Sequence, residues 1–175
     1  ISILYVNGTL QRGLTRGNGK VGEDITEKVK HLVPNTISHE GVLQVMGEVV
    51  APKTIKNSRN YASGALNLKD VEEFKSRELT FIAYGCHPRI TSAWSDDMEH
   101  VMKQGFHTVL ESNWDEFPHD GIVFRMDSYF EFERAGYTYK HPKGAYALKE
   151  QKEGVVSTLL DVVWQVGKSG VVSPV

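Results

Sequence analysis

The sequence predicts an α+β fold built on antiparallel strand pairs, and three stretches predict it. Asn7-Gly8 separates two strand-like runs, Ile1–Val6 and Thr9–Thr15. Asn-Gly is the strongest short hairpin signal, because both residues tolerate the positive φ of a tight two-residue turn. Asp120-Gly-Ile-Val-Phe-Arg125 sets a carboxylate on a Gly-assisted bend and follows it with an apolar β-branched run that ends in a cation. Ala145-Tyr-Ala-Leu-Lys149 repeats the idea as an alternating strand ending in Lys149. The Asp120 run is expected to be a buried strand with a metal or hydroxyl ligand at one end and a phosphate-binding charge at the other. Two cation-tipped strands close together read as a cleft for a nucleotide phosphate, or as ordinary strands with solvated ends.

The rest of the chain fits around these strands in order. Arg16-Gly-Asn-Gly-Lys-Val-Gly22 is a Gly-rich loop with two cations. It spells G-x-G-x-x-G, but the strand before it belongs to a hairpin, whereas the dinucleotide fingerprint needs a parallel βαβ unit. A flexible loop that swings Arg16 onto a phosphate fits better, beside the plain reading of a solvated loop. A helix is expected from Asp24, with Ile25, Val29 and Leu32 at helical spacing and Pro34 ending it. Val42–Val50 alternates as a strand. In it Glu48 shares a face with Met46 and Val50, where a charge is costly unless paired. Gly47 beside it lets a ligand or another backbone approach closely. Short helices are expected over Tyr61–Leu68 and Val71–Ser76, then a strand over Leu79–Tyr84 ending at Gly85. Ser95 caps a helix running to Gln104, with Trp94, Met98, Val101 and Met102 inward and Gly105 as its stop. Phe106–Leu110 reads as a strand, Tyr129–Ala135 as a short helix closed by Gly136, and Val155–Val166 as a long alternating strand. Gly167-Lys-Ser169 imitates a P-loop end but lacks its first Gly and a following helix.

Composition sets outer bounds. A chain of 175 residues can bury one core, with room for a short extra module. A hydrophobic fraction of 40%, a charged fraction of 24% and a net charge of −2 describe an ordinary globular protein without a global basic field. Any nucleic-acid contact must come from a local patch. The single Cys86 excludes an internal disulfide and a Cys-based zinc site within these residues, which suits a reducing cytoplasm. The seven His form no pair at helical zinc spacing, and no apolar run approaches a membrane span. Ile1–Val6 and Val171–Val175 read as strands cut in mid-ladder, as expected of a piece of a longer protein or one subunit of a split one.

Five stretches, in this order, resemble NAD-dependent DNA ligases: Tyr5–Gly8 through Thr15–Asp24; Met46-Gly-Glu-Val49; Ser58-Arg-Asn-Tyr-Ala-Ser-Gly64; Asp120-Gly-Ile-Val123; and Ala147-Leu-Lys149. The tail from Trp164 through Pro174 is similar to the first strands of the OB-fold that follows that family's nucleotidyltransferase domain. The resemblance implies a ligase-type nucleotidyltransferase fold over residues 1–152, with ATP-grasp-like antiparallel sheets and flanking helices, and an OB-fold beginning over 153–175. It implies NAD and Mg2+ as cofactors, nicked duplex DNA as partner, and a place in the cytoplasm of a bacterial or virus-infected cell. By residue, it puts Arg16 and Arg59 at the phosphates or the nick, Glu48 at the ribose hydroxyl, and Asp120 at a divalent metal that Glu48 also faces. Lys149 would hold the α-phosphate, Tyr84 and Val123 would sandwich the adenine, and Arg125 would stand where the family has a cofactor-binding Lys.

Departures accompany the match. The family's nucleophilic Lys lies in K-x-D-G, and no K-x-D-G occurs in this sequence. Arg125 replaces a Lys, which keeps the charge but changes its geometry. Asn67 stands where the family usually has Arg, and the segment between Gly85 and Asp120 is short by a helix. Such changes are those of a diverged member, a viral one for example, or of a split ligase whose Lys sits on a partner chain or missing segment. The expected function is NAD-dependent nick sealing, inactive until that Lys is supplied. A non-catalytic nucleic-acid- or nucleotide-binding subunit that kept the fold is the rival from another class, and a purely structural α+β domain is third.

Overall fold

The computed structural model describes residues 1–111, 114–149, 154 and 156–175. β1 (Ser2–Val6) and β2 (Thr9–Leu14) form the expected hairpin. Its turn holds Asn7 at φ 47° and Gly8 at φ 75°, the left-handed pair that Asn-Gly supplies at least strain. β1 pairs with β3 (Val42–Val50) and β3 with β4 (Thr80–His87), all antiparallel, while β5 (His107–Thr108) lies parallel to β4. The sheet order is β2-β1-β3-β4-β5.

Strand alternation decides which face is core. Ile3, Tyr5, Leu43, Val45, Phe81 and Ala83 are buried together with Val29 and Phe106, and with Met98 and Val101 from α4 (Trp94–Lys103). Tyr5 carries its hydroxyl into this layer by donating to Pro34 O at 2.6 Å, and burial raises its pKa. The opposite face carries Gln44, Met46, Glu48 and Tyr84, half-buried or exposed. Glu48 is therefore not held against an apolar layer as the sequence suggested; it stands on the open face. Gly47 lies on the core side, at a bulge in the β3–β4 register. A Cβ there would run into the Phe81 ring and the Ile82 carbonyl, so the close approach is by β4 and not by a ligand.

Several elements differ from the periodicity. α1 (Thr26–Val29) is a single turn: Asp24 Oδ1 accepts from both Thr26 N (2.9 Å) and Thr26 Oγ1 (2.6 Å) and delays its start, and beyond Val29 the chain goes on as turns, with His31 N donating to Lys28 O (3.1 Å) and Leu32 N to Val29 O (2.9 Å). α2 (Ser58–Leu66) begins three residues early, and α3 (Val71–Lys75) is capped by Asp70. β4 runs past Gly85 by absorbing Tyr84 as the bulge residue, and β5 keeps only two residues of the expected Phe106–Leu110 strand. The expected strand over Val155–Val166 shrinks to β8 (Trp164–Val166), paired with β9 (Val172–Pro174). Residues 156–163 carry no regular structure, and Val155 lies outside the described residues. So does the expected domain boundary at 152–153. Among the described residues, no helix is long and apolar enough to cross a membrane.

β6 (Gly121–Arg125) and β7 (Ala145–Lys149) make a separate two-stranded ribbon, with α5 (Tyr129–Ala135) in the connection between them. β6 is an exposed strand, not the buried one expected: Val123 is 67% exposed, and Ile122 and Phe124 are exposed as well. A ribbon with one neighbour per strand cannot cover both its faces.

The ribbon is attached through the start of α4. Asp97 is fully buried and accepts from Ile90 N, Thr91 N (2.7 Å), Thr91 Oγ1 (2.8 Å) and Tyr129 Oη (2.6 Å). Ser95 does not cap α4, whose flanking residue is Ala93. Its N–H and hydroxyl both donate to Asp127, each at 2.7 Å. Trp94 is half-buried and packs against the core, while Met102 is exposed, so the inward stripe is Trp94, Met98 and Val101. Asp97→Ala should leave four donor groups without their acceptor and cost ~3 kcal/mol or more. Urea unfolding of the variant against wild type measures it; a loss under ~1 kcal/mol would remove Asp97 as the junction.

Candidate functional site

A cleft of about 620 Å³ opens at the end of β3, where α2 and the residues leading into β6 converge. Arg16, Glu48, Arg59 and Asp120 all line it. Arg16 enters from the Gly-rich loop, which is closed by Thr15 N donating to Glu23 O (3.0 Å) and by Asn18 Oδ1 accepting from Lys20 N and Val21 N. That loop is an ordered turn. Arg59 sits in the first turn of α2, next to the buried Ser58.

Arg59 and Asp120 form a two-pronged ion pair across the cleft, Nη1 to Oδ2 at 2.9 Å and Nη2 to Oδ1 at 2.7 Å. The hydrogen bond to Asp120 raises the Arg59 pKa, with the Asp120 and Glu48 charges adding to it. Ile1 also lines the cleft, its backbone nitrogen donating to Gly47 O at 2.7 Å.

The remaining expected residues fall on two surfaces. Lys149 pairs with Gly121 in the ribbon register and so stands beside Asp120. Alternation places Val123 on the same ribbon face as Lys149, while Ile122, Phe124, Tyr146 and Leu148 share the other. There the Phe124 and Tyr146 rings stack at 5.1 Å. Tyr84 shares the open face of the large sheet with Glu48. Arg125 is the exception. It lies at the far end of β6, its guanidinium 4.9 Å from the Trp94 ring and 4.9 Å from that of Phe132, and burial lowers its pKa. Its Nε is buried with no hydrogen-bond partner among the described residues. The β6 cation is thus drawn into an aromatic box and away from the cleft.

Sequence reasoning missed Asn60, Ser63 and His119 in the lining. Asn60 and Ser63 stand at i,i+3 in α2, with Ser63 at i+4 from Arg59, and His119 directly precedes Asp120; those spacings were the available signal. No group of three or more His, Cys, Asp or Glu suited to a metal occurs among the described residues. Glu48 and Asp120 in one cleft nevertheless fit Mg2+, which is commonly held by one or two carboxylates, with waters and substrate phosphate oxygens completing its shell.

A family model described as the NAD-dependent DNA ligase adenylation domain matches residues 1–114. The DNA ligase of Campylobacter concisus is 33% identical over 214 residues, taking in 100% of this chain and 33% of its own length. That of Oceanobacillus iheyensis is 32% identical over 99% of this chain and 32% of its own length. DNA ligase 2 of Clostridium acetobutylicum is 32% identical over 96% and 31%. The chain spans about a third of the length of the curated relatives it matches.

The Arg59–Asp120 pair is half-exposed on both sides, with side chains 54% and 51% accessible. A double-mutant cycle with Arg59→Ala and Asp120→Ala, read by urea unfolding, should give a coupling energy of about 0.2–1 kcal/mol. A coupling above ~2 kcal/mol would make the pair a structural clamp and not an exchangeable one.

Proposed function

Because the chain belongs to the NAD-dependent DNA ligase adenylation domain family, we propose that it is the greater part of a nucleotidyltransferase unit that serves NAD-dependent sealing of nicks in duplex DNA. The supporting observation is the convergence of Arg16, Glu48, Arg59 and Asp120 on one cleft, with Lys149 beside Asp120 by strand register. A module that only bound nucleic acid would have no use for retaining Glu48, Asp120 and Lys149 together. In finer detail, residues 1–152 are the ligase-type, ATP-grasp-like domain, and the β8–β9 hairpin within 153–175 opens an OB-fold. The cytoplasm of a bacterial or virus-infected cell suits such an enzyme.

The chemistry is three substitutions at phosphorus. A Lys amine attacks the α-phosphorus of NAD, forming a P–N bond as nicotinamide mononucleotide leaves. A 5′-phosphate oxygen at the nick then takes the adenylyl group, breaking the P–N bond. Finally the 3′-hydroxyl attacks the activated 5′-phosphorus and AMP departs. Each step builds negative charge on phosphate oxygens, so catalysis is a matter of placed cations and in-line geometry.

In this reading Lys149 binds the α-phosphate, and Arg16 and Arg59 hold the phosphates or the nick. Glu48 accepts from a ribose hydroxyl, and Tyr84 and Val123 bracket the adenine between the large sheet and the ribbon. Asp120, with Glu48 facing it, is where Mg2+ would bind, and the cation would supply charge neutralisation at the phosphate oxygens. Arg59 then exchanges its carboxylate partner for phosphate, a fork that suits both. Arg125 has its place in the aromatic box and not at the nucleotide. The amine that carries AMP comes from a K-x-D-G segment, on the same polypeptide or on a partner, that is not among these 175 residues.

Two outcomes test the reading. In an enzyme with the K-x-D-G lysine supplied, Lys149→Ala should lower nick sealing roughly 100- to 1000-fold with an unchanged circular dichroism spectrum. Near-normal sealing on nicked duplex would remove Lys149 from the site. Incubated alone with radiolabelled NAD or ATP, the chain should form no covalent adenylate, because in this reading the Lys that takes AMP lies in the K-x-D-G segment, which does not occur in this sequence. Added K-x-D-G segment and nicotinamide-binding region should restore labelling, and the label should sit on that segment; label on a Lys of this chain would refute the assignment.

A further inference from the structure

The connection from α5 to β7 is an ordered hairpin that the cleft does not use. Gly136 ends α5 at φ 73°, and Lys143 N returns to Gly136 O at 2.9 Å. Inside that closure Tyr137 and Pro142 form a bridge, and Thr138 N donates to His141 O at 2.8 Å. His141 N in turn donates to Thr138 Oγ1 at 3.1 Å. A tip tied at both ends and across its middle has already lost most of its conformational freedom.

What this tip displays is unusual for a free surface. Tyr139 is 97% exposed and Tyr137 is exposed beside it. Lys140, His141 and Lys143 stand in the same turn, and residues 137–143 contain no Asp or Glu. Lys140 Nζ lies 5.8 Å from the centre of the Tyr139 ring. None of the three basic groups has an ion-pair partner among the described residues. The nearest acids along the chain are already matched, Glu131 with Arg134 at 2.7 Å and Glu133 with Arg89 at 2.5 Å. In a chain of net charge −2, this is a local cationic and aromatic point held out on a rigid frame.

Exposed Tyr interleaved with unpaired Lys fits a polyanion that also offers flat, partly apolar sugar surface, which is nucleic acid. The position agrees. β7 runs from Ala145, next to the tip, to Lys149 at the edge of the cleft, a span of roughly 15 Å. The tip therefore stands roughly 20 Å from the cleft, or about six base pairs of B-form duplex. We propose that the 136–143 hairpin is a second DNA contact, in which Lys140 and Lys143 neutralise backbone phosphates and Tyr139 packs on deoxyribose about half a turn from the nick. This rests on the ligase reading of the cleft, but it uses none of the cleft residues.

Fluorescence anisotropy of the full chain with a nicked duplex of about 20 base pairs, across a range of KCl concentrations, tests it. Losing two phosphate contacts in Lys140→Gln/Lys143→Gln should flatten the slope of log K against log[salt] by about 2. Tyr139→Ala should weaken binding roughly fivefold without changing the slope. All three side chains are exposed, so melting temperatures should match wild type. Equal slopes for wild type and the double variant would overturn the tip contact, while the adenylate-labelling result judges the cleft independently. Failure of the wild-type chain to bind the duplex at low salt, or binding to phosphatidylserine vesicles in its place, would also overturn it.

Discussion

The buried carboxylate of Asp97 is the constraint on which the relation between the two sheets depends. A charge inside the fold is tolerated only when several donors replace its water, and Asp97 has backbone N–H groups from Ile90 and Thr91 and hydroxyls from Thr91 and Tyr129. Those donors come from the 88–93 loop and from α5, so one side chain of α4 fixes both. Burial, together with the Asp97 charge, raises the pKa of Tyr129 and pushes the Cys86 thiol up to about 12. Both groups thus keep their protons at neutral pH, and Tyr129 remains a donor to the carboxylate.

From that junction the ribbon inherits its position. Asp127, one residue before Ser128 caps α5, is bonded to Ser95 on α4, and Arg125 fills the box made by Trp94 and Phe132. The ribbon's own surfaces are largely exposed and contribute little hydrophobic anchoring. Its cleft end is met by Arg59, through an ion pair too solvated to hold the ribbon alone. Under the proposed function, a stiff attachment at one end and a weak, exchangeable one at the other would suit a cleft that admits a nucleotide between Glu48 and Lys149. The same lever carries the cationic 136–143 tip outward on the side away from the cleft.

Charge placement follows the same logic. Two guanidinium groups and two carboxylates line one cleft, so the local field is mixed and not simply attractive to phosphate. Asp120 and Arg59 satisfy each other in the absence of a ligand, which keeps either from standing as an uncompensated charge in a partly enclosed space. The aromatic box does the equivalent for Arg125, with ring faces in the role of counter-charge.

The sequence by itself determined the local and order-dependent features. Asn7-Gly8 fixed the first hairpin through backbone conformations few other residues tolerate. Alternation set β3 at Val42–Val50 to the residue, and the Gly136 stop closed α5 at Tyr129–Ala135. The ordered motifs identified the family and put Arg16, Glu48, Arg59 and Asp120 at a common site. What only the tertiary structure decided were matters of direction and partnership. Alternation along β6 cannot say whether either face is covered, and the ribbon has no third strand, so its apolar residues face out. A cation at a strand end reads alike whether it faces phosphate or aromatic rings; Trp94, 31 residues upstream, and Phe132 on the following helix drew Arg125 to themselves. Ser95 looked like a cap because caps are local, yet its hydroxyl went to Asp127, 32 residues away. Such long-range choices depend on which surfaces the completed fold brings within bonding distance, and local propensity carries no record of them.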